Sequence, residues 1–557
     1  MSDRRWCTRV GRLLLVFWVA GAGAIGSAQE VTETAQKADE VPSEPLPEDD
    51  RPKLELTLEE AVQVAMEQNL GLKVQSLGRR IERTRIAEAQ GEFEPVLFST
   101  ISDGRSRVPT NSQLQGAQRL ELNTTHIDFG ARQVLPTGGS VTLTVNGDRQ
   151  RTNSQFATLN PNVSSFFQIE ARQPLLRGAW TRYGLSSIDQ ARLGARAVDA
   201  DFERQKSEIV FSCIEAYWRL VFSIEDVEVK ALSLRLAQDL YEINQAKVDE
   251  GVLAPVEVLD AESQVFSRRE QLISAQNAVK DAEDILRRIL FNFELPEHWD
   301  FHLVPGSSPS EDAVELPAWQ MAAKVSRAQR ADLQALRERL EQRRLTVFQA
   351  TNELGPQLDL FGSGRSNGVD RTFRESFSET SEINTTAWQV GLSFELPFPF
   401  NRTRSARLRR ARLELRQAEI DLYDRESSVV AEVRASLREI ATLRQQIVAS
   451  RKATELAQAR LEAEQKKYDV GFSTNFQVLE LQERLANELT RNRQIVVNYQ
   501  IALRRLENAQ GTLLTSFGLD GAEIRPASED DGEESWWHVP STEVGAPLPN
   551  GPAVRPQ

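Results

Sequence analysis

Two stretches of the chain follow one pattern, KVDEGVLAPVEVL at residues 247–259 and KYDVGFSTNFQVL at residues 467–479. The glycines at their centres, Gly251 and Gly471, are 220 residues apart (471 − 251). The same offset relates residues on both sides of each glycine, so the correspondence covers two helices and the turn between them. The sequence therefore predicts a duplicated helical hairpin. Because one hairpin cannot bury its apolar seam alone, the copies must pack on each other or on other chains.

The first residues have the pattern of a secretory signal peptide. Basic residues precede an apolar run from Leu13 to Ile25, and small residues suited to cleavage follow at residues 26–28. A membrane anchor is the alternative, but the run is short for a helix that spans a bilayer. We therefore predict a signal peptide at residues 1–28 and export of the mature chain.

Composition restricts the class of protein. The chain has 557 residues with 81 acidic against 67 basic side chains, and its formal charge of −14 disfavours nucleic-acid binding. Abundant Ala, Leu, Glu, Gln and Arg indicate long, solvent-exposed helices. Removal of the signal peptide takes Cys7 and leaves Cys213, so no disulfide within the chain is expected. We interpret Cys213 as a small buried apolar residue.

Changes of composition divide the mature chain into two repeats. We predict a disordered acidic and proline-bearing lead at residues 29–53, a linker at 294–316 and a disordered acidic and proline-rich tail at 519–557. The first repeat spans residues 54–293 and the second 317–518. Each repeat is predicted to contain a helix, then strands (96–172 and 357–396), then a helical hairpin (187–290 and 401–517) whose tip lies near residue 251 or 471.

The longest predicted helices are too long for a globular core. Residues 187–250 and 401–470 contain no proline, and at 1.5 Å rise per residue each helix would be about 95–105 Å long. The helices that return from the tips carry apolar residues at alternating steps of three and four, which is coiled-coil spacing. These features predict an extended helical bundle or tube.

Alternation with a period of two predicts strands with one apolar face. In residues 388–396 the apolar positions are Trp388, Val390, Leu392, Phe394 and Leu396, and polar or small residues lie between them. Such a face fits a soluble sandwich or a transmembrane barrel. The signal peptide and the tube-length helices favour the barrel, so these five residues are predicted to face lipid. The predicted fold class is mostly α with a transmembrane β-barrel part.

Patterns for catalysis or cofactor binding are missing from the sequence. The four histidines are far apart, and there is no phosphate-binding glycine loop, nucleophile elbow or cysteine–histidine metal spacing. Carboxylates are plentiful, but they lie among Arg and Gln along predicted helices, as on an ordinary solvated face. We therefore expect no enzymatic activity, no cofactor and no metal site.

The two glycine turns are the candidate functional positions. In the simpler interpretation each glycine only supplies a left-handed helix cap, with Pro255 near a first helical position and Thr474 with Gln477 as a capping box. In the functional interpretation the tips lie at the end of a tube, where a gate or a docking partner would be. The sequence leaves both open.

At this point the residues resemble the TolC-type outer-membrane efflux channel family. The resemblance is carried by the LTLEEA stretch at residues 56–61, the Glu94-Pro95 junction, the YDVG stretch at residues 468–471 with Val478-Leu479, and the closing GTL stretch at residues 511–513. It covers about residues 54–518. It implies a homotrimer with a shared barrel in outer-membrane lipid and a periplasmic tunnel. It also implies a periplasmic adaptor protein and an inner-membrane pump as partners.

The resemblance also implies roles for residues at the tip. Tyr468 stands at the position of a tyrosine that restrains the closed tip, and Glu257 at that of its acidic partner, so we expect a hydrogen bond between them. Ser473 replaces a restraining arginine. Gln477 replaces the first carboxylate of a constriction ring, whereas Glu480 keeps the second. Further residues of this region, assigned to the ring or to the turns and adaptor docking, are Asp260, Gly251, Pro255, Val258, Leu259, Gly471, Thr474, Val478 and Leu479.

The size of the barrel stays open at this stage. The resemblance implies twelve strands, but residues 96–172 are longer than two strands require and contain a further turn pattern at residues 136–139. The additional hairpin could lie outside a twelve-stranded barrel, or the barrel could be larger.

Two functions fit these features. The first is a passive export duct of a tripartite efflux or type I secretion system, in the outer membrane of a Gram-negative-type bacterium. The alternative is an exported, non-conducting coiled-coil scaffold of the cell envelope. The apolar strand face distinguishes them, because a soluble scaffold does not need a lipid-facing band.

Overall fold

The computed structural model describes residues 52–110, 116–291, 299, 301–312, 314–398 and 401–519. The predicted signal peptide, nearly all of the lead and the tail, and part of the linker lie outside these residues. The described chain from Lys53 onward belongs to one compact unit. Its helices are α1 (Leu58–Gln68), α2 (Leu70–Gly91), α3 (Thr181–Gly184), α4 (Ser186–Asp249), α5 (Pro255–Leu290), α6 (Trp319–Gln329), α7 (Ala331–Leu354), α8 (Phe373–Ser381), α9 (Arg402–Asp469), α10 (Asn475–Gln510) and α11 (Leu513–Ser516).

The strands form two sheets. They are β1 (Lys53–Leu56), β2 (Val96–Pro109), β3 (Arg119–Val134), β4 (Ser140–Thr152), β5 (Asn162–Pro174), β6 (His302–Pro305), β7 (Gln357–Asp370) and β8 (Thr386–Glu395). Strands β1 and β6 pair in parallel, which fastens the start of the described chain to the linker. The other six form one antiparallel sheet in the order β2-β3-β4-β5-β7-β8.

Two long helical hairpins dominate the structure. Helices α4 and α9 have 64 and 68 residues, and the returning helices α5 and α10 have 36 residues each. Helix α4 packs against both α5 and α10, and α10 packs against α9. Nearer the sheet, α4 packs against α2 and α7, and α7 packs against α9. Four helices therefore lie side by side at each level. In the described part of the chain, no helix is long and apolar enough to cross a membrane.

The helix that starts at the Thr57 cap is shorter than the sequence predicts. Thr57 and Glu60 form a capping box, since the side chain of each bonds the other's backbone N–H. The single helix that the sequence predicts before the strands of the first repeat is divided into two, because the chain breaks at Asn69. The Asn69 side chain accepts from the Leu72 N–H at 3.2 Å and donates to the Ile289 carbonyl at 2.9 Å. The first bond satisfies an N–H that the break leaves without a helical partner, and the second satisfies a carbonyl in the last turn of α5.

An equivalent break occurs at Arg330, 261 residues later (330 − 69), between α6 and α7. Here ion pairs replace the amide: Arg330 contacts Asp332 at 2.8 Å and Glu432 at 2.5 Å, and Arg425 contacts Asp332 at 2.8 Å. Burial raises the pKa of Asp332, but hydrogen bonds and charge from Arg330 and Arg425 outweigh it and hold that pKa below its usual value. The carboxylate therefore stays ionised between its two arginines.

The largest apolar core lies where α1, α4 and α5 meet the short parallel sheet. Leu72, Tyr217, Leu286 and Leu513 are among its fully buried side chains. Cys213 belongs to this core, as predicted, and burial raises the pKa of its thiol to about 12. The core joins the two ends of the described chain to the first long helix.

The turn between β3 and β4, which form the additional hairpin, packs closely on the segment that joins β5 to α3. A Cβ added at Gly138, where φ is +83°, would lie 2.1 Å from the Gly178 carbonyl oxygen. The Trp180 N–H donates to the Thr137 carbonyl at 3.0 Å. A Cβ added at Gly184 would meet the Pro136 carbonyl oxygen, also at 2.1 Å. The hairpin is thus fixed both by its ladders and by its turn.

We predict that Gly138→Ala lowers stability by at least about 2 kcal/mol, because the new methyl group meets a carbonyl oxygen and the backbone must keep a left-handed φ. Gly78→Ala is the matched control. Gly78 lies in α2 with nothing within 4 Å of its added Cβ, so alanine should stabilise the protein by about 1 kcal/mol. Thermal unfolding of the full chain in detergent, followed by circular dichroism, measures both. Equal melting temperatures for the two variants would contradict this packing.

Candidate channel tip and sheet surfaces

Both hairpin tips are built by the same helix cap. Gly251 has φ +75° and Gly471 has φ +82°, the left-handed region that favours glycine. After α4, the Val252 N–H bonds the Lys247 carbonyl at 2.9 Å and the Gly251 N–H bonds the Val248 carbonyl at 2.9 Å. The same pair of bonds follows α9 at residues 467–472. This is the Schellman arrangement, and it confirms the glycine caps that the sequence predicts.

The second predicted cap at the tip is wrong in part. Pro255 occupies the first turn of α5, as expected. Thr474 precedes α10, but its side chain makes no cap hydrogen bond. The side chain of Gln477, its expected partner, lies instead 3.0 Å from the Ser473 hydroxyl oxygen. The local turn bonds Gln477 to Ser473, and this replaces the reciprocal box.

A chain of buried polar groups joins the two hairpins just above the tips. The Tyr468 hydroxyl donates to the side-chain oxygen of Asn244. The Asn244 amide donates to the Asn475 side chain at 2.9 Å, and the Asn475 amide donates to the Glu257 backbone carbonyl at 3.3 Å. The expected bond from Tyr468 to the Glu257 carboxylate is therefore wrong. The hydroxyl proton goes to Asn244, and Glu257 joins the network through its backbone carbonyl.

Tyr468 has further contacts that hold it in place. The Lys247 ammonium lies 3.8 Å from its ring centroid and donates to its backbone carbonyl at 3.2 Å. Burial raises the pKa of the Tyr468 hydroxyl, and the negative charges of Glu257 and Asp469 raise it further. The hydroxyl thus remains a proton donor to Asn244 at physiological pH.

Ser473, at the position where the resemblance expects an arginine, also contacts an acid. Its hydroxyl donates to Glu464 at 2.8 Å, and Lys467 donates to the other oxygen of that carboxylate at 2.8 Å. The hydrogen bond from Lys467, followed by that from Ser473, lowers the pKa of Glu464. This cluster ties the turn of the second hairpin back to α9.

The predicted docking residues divide into two groups. Gly251, Pro255, Leu259, Gly471 and Thr474 are exposed at the tips, and Val258 is half-buried. Val478 and Leu479 are only 1% and 8% exposed, so the prediction that they form a docking surface is wrong. They pack in a core between the hairpins with Leu240, Leu461 and Tyr468.

Sequence reasoning missed the apolar side chains that the tips do expose. Phe472 is 85% exposed, and other large apolar residues near the turns are also mainly accessible to solvent: Val252, Val256, Val470 and Phe476. Val252, Val470 and Phe472 lie on the turns, outside the helices, where helical periodicity cannot predict which side chains are exposed. Gln477, Glu480 and Asp260 are exposed as well, and their arrangement as a ring stays a prediction.

The six-stranded sheet has one continuous apolar face. The registers place Leu358 opposite Phe394, Leu360 opposite Leu392 and Gly362 opposite Val390. The same parity continues through β5 and β4, where Ile169 lies opposite Leu143 and Phe167 opposite Val145. All five residues of the predicted lipid-facing set are exposed, with Trp388 at 79%, although Leu396 lies one residue beyond β8.

The opposite face of the sheet is mainly polar and carries charges. Arg172 of β5 donates to Asp359 of β7 through two guanidinium nitrogens, and that carboxylate is almost fully buried. His126 of β3 lies between Asp148 and Asp128, at 2.5 Å from each. The sequence separates His126 and Asp148 by one turn, and only the β3–β4 register brings them together. Among the described residues no cluster of His, Cys, Asp and Glu could hold a metal ion.

Taken together, an exposed apolar sheet face, a charged opposite face and helices of tunnel length define an outer-membrane channel fold. The chain belongs to the outer membrane efflux protein family, whose model matches residues 114–290 and 323–512. It is 25% identical to the outer membrane protein TolC of Escherichia coli over 326 residues, which is 57% of this chain and 64% of TolC. The chain therefore spans less than two thirds of that relative. The alkaline protease secretion protein AprF of Pseudomonas aeruginosa is 22% identical over 62% of this chain and 69% of its own length.

Solved structures show the same fold at lower identity. The Campylobacter jejuni CmeC outer membrane channel superimposes with a TM-score of 0.60 at 16% identity, over 82% of this chain and 86% of CmeC. The outer membrane protein VceC of Vibrio cholerae superimposes with a TM-score of 0.60 at 14% identity, over 82% of this chain and 96% of VceC. At these identities the likeness concerns the fold alone.

We predict that Asn244→Ala weakens the contact between the two hairpins above the tips by about 1–3 kcal/mol, because it leaves the Tyr468 hydroxyl and the Asn475 side-chain oxygen buried without their partner. Combined with Tyr468→Phe, the two changes should be non-additive by at least about 0.5 kcal/mol. Amide hydrogen exchange of residues 460–480 in the full chain measures tip opening. Tyr423→Phe is the control, since Tyr423 is exposed on α9. Additive effects would show that the two side chains are not coupled.

Proposed function

We propose that this protein is the outer-membrane exit duct of a tripartite efflux or type I secretion system, conducting substrates passively from the periplasm to the exterior. One observation carries the proposal: a single chain joins a sheet with an exposed apolar face to helical hairpins about 100 Å long. The sheet suits a hydrocarbon layer and the hairpins suit the periplasmic space. A family of outer-membrane efflux proteins is the context in which both are needed.

Several copies must cooperate for such a duct to exist. Strands β2 and β8 are the two edges of the sheet, and each offers one row of backbone groups without a partner strand in the described chain. Open strand edges are not stable in hydrocarbon, because no water can bond their N–H and C=O groups. We infer a homotrimer, the assembly implied by the resemblance. In it, each chain contributes its two repeats to both the barrel and the tunnel.

The tips support a partner in the periplasm. Phe472, Phe476 and Val252 are exposed at the ends of the hairpins, far along the helices from the apolar face of the sheet. Exposed apolar groups of this kind mark surfaces that bind other proteins. We propose that they contact a periplasmic adaptor protein, which links the duct to an inner-membrane pump. We further propose that the protein has no catalytic role of its own.

The alternative function is a non-conducting scaffold of the cell envelope. It would use the same hairpins, but it gives no reason for Trp388, Val390 and Phe394 to remain exposed on one face. Membrane fractionation, detergent extraction and native mass measurement of the full chain distinguish the two. A trimer extracted from the outer membrane only by detergent, with channels in planar bilayers, is expected. A water-soluble monomer without conductance would overturn the proposal.

We predict that Tyr468→Phe raises the open probability of the purified channel severalfold in planar bilayers, because the hydroxyl that links α9 to Asn244 is lost. Tyr423→Phe, at an exposed position of α9, should leave single-channel records unchanged. If Tyr468→Phe and Tyr423→Phe channels open equally often, the network above the tips does not hold the channel closed.

We predict that Glu480→Gln weakens the preference of the channel for cations. Glu480 is exposed near the tip, and three copies would place three carboxylates around the lumen, which attract cations. Because Gln477 is neutral, the preference of the unmodified channel should already be milder than in relatives with two acids. Reversal potentials in a salt gradient measure it, and an unaltered ratio of cation to anion permeability in Glu480→Gln would contradict the ring.

A further inference from the structure

We propose that the membrane barrel contains eighteen strands, six from each of three copies, in place of the twelve that the resemblance implies. The contact that closes it is the β8 edge of one copy on the β2 edge of the next. This inference rests on the trimer of the proposed function. It concerns the width of the duct, and an experiment can overturn the number of strands while the proposed function remains intact.

The additional hairpin is an integral part of the sheet. Strand β3 pairs with β2 along its length, from Val96 opposite Arg132 to Pro109 opposite Arg119. Strand β4 pairs with β5 from Ser140 opposite Arg172 onward. Because β3 and β4 lie between β2 and β5, neither can be moved out of the wall without breaking these ladders. The packing of Gly138 on the Gly178 carbonyl fixes the turn of the same hairpin.

The hairpin also carries its share of the apolar face. One row of directly opposed residues crosses all six strands, namely Leu97, Ala131, Leu143, Ile169, Gly364 and Trp388. In β3 and β4, Phe129 and Leu143 are exposed on this face. Strands outside a barrel, or folded into its lumen, would have no use for apolar side chains in register with those of β8. The band therefore extends over six strands of each copy.

The directions of the strands permit closure. The chain enters the sheet from α2 into β2 and leaves it from β8 into α9, and all neighbouring strands are antiparallel. With six strands, β2 and β8 run in opposite directions, so β8 of one copy can pair antiparallel with β2 of the next. An even number of strands in each copy is the condition for a uniform antiparallel barrel.

The widths of the two parts of the duct agree with six strands. Strands spaced about 4.8 Å apart and tilted about 40° cover roughly 38 Å of circumference for six strands, and roughly 25 Å for four. The four helices that lie side by side beneath the sheet cover roughly 36 Å at about 9 Å each. Six strands thus match the helices below them. Since barrel diameter grows roughly linearly with strand number, the barrel would be about 1.5 times as wide as one of twelve strands.

A pair of adjacent substitutions tests whether the hairpin faces lipid. Leu143→Arg puts a charge on the apolar face of β4, and Thr142→Arg puts it on the opposite face. Since arginine on the lipid face is strongly destabilising and a lumen substitution is tolerated, the yield of folded outer-membrane protein should fall at least tenfold for Leu143→Arg only. Similar yields for the two variants would overturn the inference, because a hairpin outside the barrel exposes neither position to lipid.

Electron microscopy of the full chain in lipid nanodiscs counts the strands directly. Eighteen strands in a trimer would support the inference. A trimer with twelve strands and β3–β4 outside the wall would overturn it and leave the proposed function intact. Absence of any membrane-embedded oligomer would overturn both.

A variant without residues 119–152 removes two strands and keeps the alternation of directions. If this variant folds, its barrel should contain twelve strands. Because that barrel is narrower, it should exclude polymers that enter the barrel of the full chain from the outer side.

Discussion

The backbone of a strand in hydrocarbon must find all its hydrogen bonds within protein, and this requirement governs the rest of the structure. In the six-stranded sheet the four inner strands pair on both sides over most of their length, whereas β2 and β8 each have one edge without a partner strand among the described residues. The helices beneath the sheet have a similar open edge. Among the described residues, each row of four helices ends at a helix with exposed apolar side chains, such as Ile81 of α2 and Leu413 of α9, and with no further helix beside it. In the proposed trimer, one subunit is a segment of a closed wall. Its ladders, its apolar face and its long hairpins would then meet their counterparts in the neighbouring subunits.

Much of this architecture could be predicted from the sequence because periodicity reports the face of an element. Alternation at residues 388–396 indicated an exposed apolar strand face, and proline-free stretches indicated the long helices. The glycine caps followed from local chemistry at Gly251 and Gly471. The number of strands did not follow, because the alternation of Val141, Leu143 and Val145 predicts a strand but does not reveal whether its hairpin lies inside or outside the sheet of the barrel. The membership of β3 and β4 in the sheet is fixed by register with β2 and β5.

The tip shows a different limit. The partner of Tyr468 is Asn244, a polar residue in the apolar seam of α4, one helical step beyond Leu240. The sequence does show a polar residue among the apolar positions of this helix, but it does not reveal which residue of the other hairpin contacts Asn244. Val478 and Leu479 illustrate the converse, since their resemblance to family positions suggested a surface and packing between hairpins buried them. Pairing between distant segments decides such contacts, and only the folded chain supplies it.

The two breaks at Asn69 and Arg330 stabilise equivalent bends by different chemistry. Asn69 uses a neutral amide, whereas Arg330 depends on the ionised carboxylate of Asp332, whose pKa is depressed. That contribution is present above the unfolded value near 3.8 and is lost as the pH falls through the lower folded value. In a ring of three subunits the six bends would be quasi-equivalent in neutral solution. Acid would loosen only the three bends at Arg330, so that the approximate sixfold similarity among the bends would be lost and only the threefold symmetry of the subunits would remain.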